Sequence, residues 1–110
     1  MIKQQMINEC LNLVRVGNRK RNEIRSSDGE SPAHRSLKEK ICNQLLADGH
    51  EIITEAIFKT GGRADILVLD QFKVIEIVCT ETDESLIKKS QTYPQGLNIE
   101  VQRTWKKTKQ

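Results

Sequence analysis

Two acidic residues stand inside apolar, β-branched segments near the middle of the chain: Asp65 in ADILVL and Glu76 in KVIEIV. Segments of this composition form buried strands, and the short connection at residues 70–72 makes them neighbours in a hairpin. A carboxylate in a buried strand costs free energy unless it is paired or binds a metal ion. Because the chain carries this cost on two adjoining strands, we predict that Asp65 and Glu76 meet across the hairpin and bind a divalent cation.

The chemistry of such a pair is that of a magnesium site. Two carboxylates, with water and phosphate oxygens, provide the hard oxygen ligands that Mg²⁺ prefers. The ion lowers the pKa of a bound water and neutralises charge on a phosphodiester during attack. A nearby lysine would orient or activate the water, and Glu39 on a preceding helix would supply a third acid. The structural alternatives are an ion pair of Asp65 with Arg63, and a solvent-facing role for Glu76 at a strand edge.

Three helices and four strands are predicted around this pair. Apolar residues three to four apart predict a helix over Ile2 to Val14, which buries one face on the domain or on a partner subunit. Ser31-Pro32 and Asp48-Gly49 mark the ends of a second helix. The predicted strands cover residues 51–58, 64–69, 73–78 and 97–101, and the third helix begins at Thr80 or Thr82 and ends near Tyr93. The order α, α, β, β, β, α, β indicates an α/β domain with a mixed sheet covered by helices.

The size and charge of the chain fit a small intracellular domain. Its 110 residues carry a net charge of +3, and we divide them into an N-terminal helix and basic loop, residues 1–30, and one α/β domain, residues 31–110. No apolar run approaches the roughly 20 residues of a membrane span, and the N-terminus lacks the apolar core of a signal peptide. The three cysteines form no CxxC pair, so neither a disulfide framework nor a zinc site is indicated.

Basic residues crowd the segment before the second helix. A patch of this kind suits a polyanionic partner, and the alternative is an ordinary solvated surface. The predicted nucleic-acid contacts are Arg19, Lys20, Arg21, Arg25 and Arg63, and a second basic stretch, Lys106, Lys107 and Lys109, follows Trp105.

The segments GRADILVLD and VIEIV, preceded by a helix with an acid and followed by a helix with lysines, resemble the PD-(D/E)xK nuclease superfamily over residues 31–102. The resemblance implies a restriction-endonuclease-like αβββαβ core and Mg²⁺-dependent cleavage of nucleic acid, with Mn²⁺ able to replace Mg²⁺. It assigns Glu39 as the helix glutamate, Asp65 as the central aspartate and Glu76 as the glutamate of the ExK element. The main-chain carbonyl of Ile77 would be a further metal ligand.

One position departs from this pattern, because Val78 stands where the lysine of ExK belongs. Some members of the superfamily move the cation to the next helix. Lys89, four residues before Tyr93, is then the first candidate and Lys88 the second. If both are solvated helix lysines, the protein binds DNA or RNA without cutting it.

Four further features carry a functional and a structural interpretation. Glu55, ten residues before Asp65, is either an acid of the site or an outward strand residue. His34 is either a phosphate or water contact or a packing residue. Gly61-Gly62 allows a phosphate backbone to approach or simply makes a turn. Tyr93 packs in the core or stacks on a base.

These patterns predict a metal-dependent DNA nuclease, an endonuclease rather than an exonuclease. Cutting both strands of a duplex needs a second active site, which predicts a homodimer, with the N-terminal helix as a contact. The alternatives are a catalytically silent nucleic-acid-binding relative and a protein-interaction module of a larger assembly.

Overall fold

A mixed four-stranded sheet forms the centre of the computed structural model, which describes residues 2–104. The helices are α1 (Lys3–Leu11), α2 (Pro32–Ala47) and α3 (Asp83–Ser90), and the strands are β1 (Ile52–Ile57), β2 (Arg63–Val68), β3 (Lys73–Val78) and β4 (Asn98–Arg103). The strand order is β1-β2-β3-β4, with antiparallel pairs β1/β2 and β2/β3 and a parallel pair β3/β4. The predicted order of elements and the mixed sheet are therefore confirmed, while Trp105 and the basic stretch after it lie outside the described residues.

The hairpin of β2 and β3 is built on apolar cross-strand pairs. Its register pairs Ile66 with Ile75 and Leu67 with Val74. A short 3₁₀ turn, Leu69–Gln71, connects the strands, and Phe72 closes it in the left-handed conformation at φ 50°. A parallel neighbour needs a crossover connection, and α3 provides this crossover between β3 and β4.

Strands β1, β2 and β3 are buried on both faces, in two apolar clusters, whereas β4 is largely exposed. One cluster joins Cys42 of α2 to strand residues that include Ile66 and Ile75. The other joins Ile7 and Cys10 of α1 to the opposite set of strand residues and to Tyr93. The apolar face of α1 is thus buried within this chain.

The alternation of β1 and β2 between the two faces is broken beside the predicted site. Ile53 and Ala56 belong to the same cluster although they are three residues apart, whereas a regular strand alternates. The break falls at Glu55, which adopts a left-handed φ of 54°. Such a conformation costs on the order of 1–3 kcal/mol outside glycine. Thr54 pairs with Ile66 and Ala56 with Ala64, so Glu55 lies at the level of Asp65.

A buried lysine of α2 compensates this distortion. The side chain of Ser31 caps the helix by accepting a hydrogen bond from the His34 N–H at 3.1 Å. One turn later Lys38 is only 1% exposed. Its ammonium donates to the carboxylates of Glu55 at 2.6 Å and Glu30 at 2.9 Å. These two hydrogen bonds attach both β1 and the segment before α2 to the helix.

The irregular segment after α1 covers the free edge of β1. The main-chain N–H of Arg15 donates to the Ile57 carbonyl at 2.9 Å, and that of Asn22 donates to the Ile52 carbonyl at 2.7 Å. The side chain of Asn18 accepts a hydrogen bond from the Ile57 N–H at 2.7 Å. Unpaired strand edges invite association with other chains, and here the chain's own N-terminal segment occupies the edge.

None of the helices within residues 2–104 combines the length and the apolar character that crossing a membrane requires.

The Lys38 ion pairs generate a stability prediction. We expect Lys38→Met to lower the free energy of unfolding by about 3–5 kcal/mol, because removing one partner leaves buried carboxylates without compensation. Urea denaturation measures this loss. Lys40→Met on the exposed side of the same helix is the matched control and should change stability by less than about 0.5 kcal/mol. Equal stability of the two variants would show that the buried pairs contribute little.

Candidate active site

The two predicted acids lie side by side where β2 and β3 begin to separate. The Ile77 N–H donates to Asp65 Oδ2 at 2.8 Å, in place of a bond to the facing main chain. The Asp65 N–H lies 3.4 Å from Glu76 Oε2. Asp65 and Glu76 are therefore cross-strand neighbours, and each carboxylate accepts a hydrogen bond from the main chain of the other strand. The structure brings the two predicted acids together.

Glu76 is buried, with 3% of its surface exposed, and two donors satisfy its carboxylate. Lys89 Nζ lies 2.6 Å from Oε1, and the Tyr93 hydroxyl donates to Oε2 at 2.6 Å. Tyr93 itself is fixed by an edge-to-face contact with Phe58, with ring centroids 5.3 Å apart. The tyrosine is thus a packing residue that also orients the buried acid.

The end of α3 and the turn after it deliver these donors. Thr82 caps the helix by accepting a hydrogen bond from the Ser85 N–H at 3.1 Å. A side chain at Gly62 would place its Cβ 2.4 Å from Thr92 Oγ1 and 2.7 Å from Tyr93 Cδ1. Gly62 therefore allows Tyr93 to approach β2 closely, because any larger residue at this position would collide with it.

The lysines of α3 point to different places. Lys89 reaches Glu76 and retains 42% exposure of its side chain. Lys88 lies on the exposed side of the helix, in a depression that it shares with Glu84 and Gln91. Of the two cations proposed from the sequence, only Lys89 contacts the acid pair.

The site carries an excess of negative charge. Burial raises the pKa of Glu76, the neighbouring Asp65 raises it further, and Lys89 and Tyr93 offset only part of this effect. Burial lowers the pKa of Lys89, but the attraction of Glu76 and Asp65 outweighs burial and leaves that pKa raised. Two carboxylates thus face one ammonium, and a bound cation would compensate the excess negative charge.

The first turn of α2 brings His34 to the other side of this pair. His34 Nε2 lies 3.5 Å from Asp65 Oδ2, and Nδ1 lies 3.3 Å from Glu30 Oε2. Burial raises the pKa of Glu30, but Lys38, His34 and the Ser27 main chain together lower it more, so it lies below the ordinary value. His34, Glu30, Asp65 and Arg63 line a cleft of about 300 Å³, together with Ser27, Asp28, Gly29, Ser31 and Cys79.

Of the remaining predicted ligands, Glu39 and Glu55 do not join the acid pair, whereas Ile77 adjoins it. Glu39 is exposed on α2, one position past Lys38, and makes no contact with the acid pair within residues 2–104. Glu55 turns toward Lys38, and Arg63 Nε lies 3.6 Å from it. For Ile77, the described contact is its main-chain N–H with Asp65. No group of three or more histidine, cysteine or acidic side chains in the described residues is arranged to hold a metal ion.

The acid pair nevertheless fits a magnesium ion that takes its remaining ligands from water and from the phosphate oxygens of a substrate. Mg²⁺ is commonly bound by one or two carboxylates plus phosphate oxygens. Each carboxylate has about four lone-pair directions, so the donors already at Asp65 and Glu76 leave acceptor capacity. The excess negative charge favours a cation at this position.

Of the five predicted nucleic-acid contacts, two lie beside the cleft and the other three are engaged with separate partners. Arg25 and Arg63 line a depression of about 430 Å³, which adjoins the cleft because both include Ser27 and Asp28. Arg21 lies 3.5 Å from Glu51, just before β1. Arg19 donates to the Val14 carbonyl, Lys20 pairs with Glu23, and Arg25 donates to the Thr54 carbonyl.

Comparison with known proteins finds no family model, no curated protein and no solved structure that matches this chain.

The raised pKa of Glu76 predicts an unusual pH dependence. A carboxyl group whose pKa is higher in the folded state binds more protons there, so its ionisation destabilises the fold as pH rises above the unfolded value of about 4.3. We expect Glu76→Gln to melt at a higher temperature than the native protein at pH 8. The difference should shrink as pH falls toward 4.

Thermal unfolding followed by circular dichroism, in buffers without divalent cations, measures this difference. Glu84→Gln on the exposed surface of α3 is the matched control. If Glu76→Gln instead has a lower melting temperature than the native protein at pH 8, the Glu76–Lys89 pair stabilises the fold and the excess negative charge does not destabilise it.

Proposed function

We propose that this protein is a metal-dependent nuclease that hydrolyses phosphodiester bonds of DNA. The observation that carries the proposal is the convergence of Asp65, Glu76 and Lys89 at the open end of the β2–β3 hairpin, with Lys89 Nζ 2.6 Å from Glu76. The core from α2 to β4, with β4 parallel to β3, agrees with the αβββαβ order that the PD-(D/E)xK resemblance implies. This agreement supports a restriction-endonuclease-like fold.

The roles of the residues follow from their contacts. Asp65 and Glu76 would hold Mg²⁺, or Mn²⁺ in its place, which supplies an acidified water and neutralises phosphate charge. Lys89 would orient the attacking water, since its ammonium is half-exposed beside the buried acid. Tyr93 keeps the Glu76 carboxylate in one orientation through its 2.6 Å hydrogen bond. Lys89 thus takes the role of the cation that the pattern expects at Val78.

The polyanionic substrate is supported by cations beside the cleft. Arg63, with 60% of its side chain exposed, and Arg25 border the adjoining depression and would contact phosphates. Binding through phosphates weakens steeply with salt. DNA is the proposed substrate and RNA the alternative. A homodimer would bring two such sites to the two strands of a duplex.

A plasmid-nicking assay tests this function with a built-in control. In Mg²⁺ the native protein should convert supercoiled DNA to open circles, and Asp65→Asn and Lys89→Met should slow this at least about 100-fold, the usual scale for loss of one electrostatic group in an active site. Lys88→Met should cut within about twofold of the native rate, because Lys88 does not reach Glu76.

Two results would reject the nuclease. One is nicking that persists unchanged in Asp65→Asn, which would mark a contaminating enzyme. The other is absence of cleavage in both Mg²⁺ and Mn²⁺ over a range of linear, branched and single-stranded DNA and RNA.

A catalytically silent nucleic-acid-binding relative is the second candidate. It is favoured by Val78 and by the engagement of both Glu76 oxygens with donors of the chain itself. Fluorescence anisotropy with labelled DNA in EDTA would identify it. Binding that survives Asp65→Asn and Glu76→Gln but weakens in Arg63→Ala, without cleavage, selects this candidate over the nuclease.

A further inference from the structure

His34 in the first turn of α2 and Glu30 just before the helix form a polar pair whose hydrogen bonds are incomplete. Glu30 is 3% exposed in its side chain, yet its Oε1 and the Nδ1 of His34 are buried without a hydrogen-bond partner among residues 2–104. His34 Nε2 lies 3.5 Å from Asp65 and makes no hydrogen bond within the same range. Buried polar groups without partners are destabilising. Nε2 makes no hydrogen bond to Asp65 at this distance, so it is left to donate to a ligand oxygen in the cleft.

His34 and Tyr93, a residue that follows the α3 helix of Lys89, lie on opposite sides of the sheet. α2, which carries His34, packs on the cluster of Cys42 and Ile66. Tyr93, which follows α3 and contacts Glu76, belongs to the cluster on the other face. Displacement at phosphorus places the attacking and leaving oxygens roughly in line on opposite sides of the phosphorus atom. A phosphate bound at Asp65 and Glu76 would therefore have Lys89 on one side and His34 on the other.

We propose that His34 contacts the phosphate being cut, donating a hydrogen bond from Nε2 on the side away from Lys89, and that Glu30 holds its ring in place. This inference rests on the proposed nuclease function. It assigns a substrate contact to His34 in the first turn of α2, five residues before Glu39, the α2 residue to which the superfamily resemblance leads. The role requires only an N–H donor at the place of Nε2, so another side chain with a donor there can replace the imidazole.

Two substitutions at this position separate the contact from a packing role. His34→Ala should lower the nicking rate constant about 10- to 100-fold, the range expected for loss of a hydrogen bond to a charged group. His34→Gln should recover most of that loss, because its amide nitrogen is a donor at a similar distance from the backbone. The other histidine of the chain, His50, is bonded to Asp70 at 2.7 Å, away from the cleft, and His50→Gln is the matched control.

The kinetic analysis determines which interpretation holds. The contact predicts that the rate constant falls while the KM for plasmid and the melting temperature change little. Equal losses in His34→Ala and His34→Gln, or full activity in His34→Ala, would overturn it and leave the nuclease standing. Recovery of His34→Ala at high Mg²⁺ concentration would make His34 a metal ligand and also overturn it. Absence of cleavage by the native protein would reject the function and this contact together.

Discussion

Burial of the Glu76 carboxylate constrains the rest of this structure. A charge in an apolar strand must be satisfied by donors that cannot come from the strand itself. The chain provides them from the crossover that follows β3, through Lys89 and Tyr93. Tyr93 reaches its position only because Gly62 leaves room beside β2. The path of the chain from α3 to β4 is therefore fixed as much by one acid as by apolar packing.

A second buried charge acts in the same way on the opposite face. Lys38 connects Glu30 and Glu55, and so attaches the irregular segment before α2 to the one position of β1 with a left-handed backbone. Buried ion pairs add little net stability compared with apolar packing. Two of them beside one cleft, together with local backbone distortion, are typical of positions kept for function.

The sequence was informative where local pattern decides the structure. The hairpin followed from two β-branched runs around a short turn, and α2 followed from its Ser-Pro start and Asp-Gly end. The buried face of α2 was harder to predict. Hydropathy places Leu37 and Ile41 inward but leaves Lys38 in solvent, whereas Lys38 is 1% exposed. Burial of Lys38 depends on Glu30 and Glu55, which lie outside the helix, so the hydropathy of α2 alone does not reveal it. Its spacing of four residues from His34 and Cys42 was the available signal.

The position of Lys89 also shows how a lysine can reach Glu76 without standing on β3. Val78 is fully buried, so the strand offers no open path for an ammonium at that position. α3 has no buried residue of its own, and its Ile87 is 59% exposed. An eight-residue helix is marginal without tertiary contacts, so α3 depends on its cap, on Lys89 and on the anchoring of Tyr93 just beyond it. If the proposed cation binds at Glu76, it shares that carboxylate with Lys89 and weakens their attraction. Occupancy of the proposed site would then be coupled to the attachment of this helix through one ion pair.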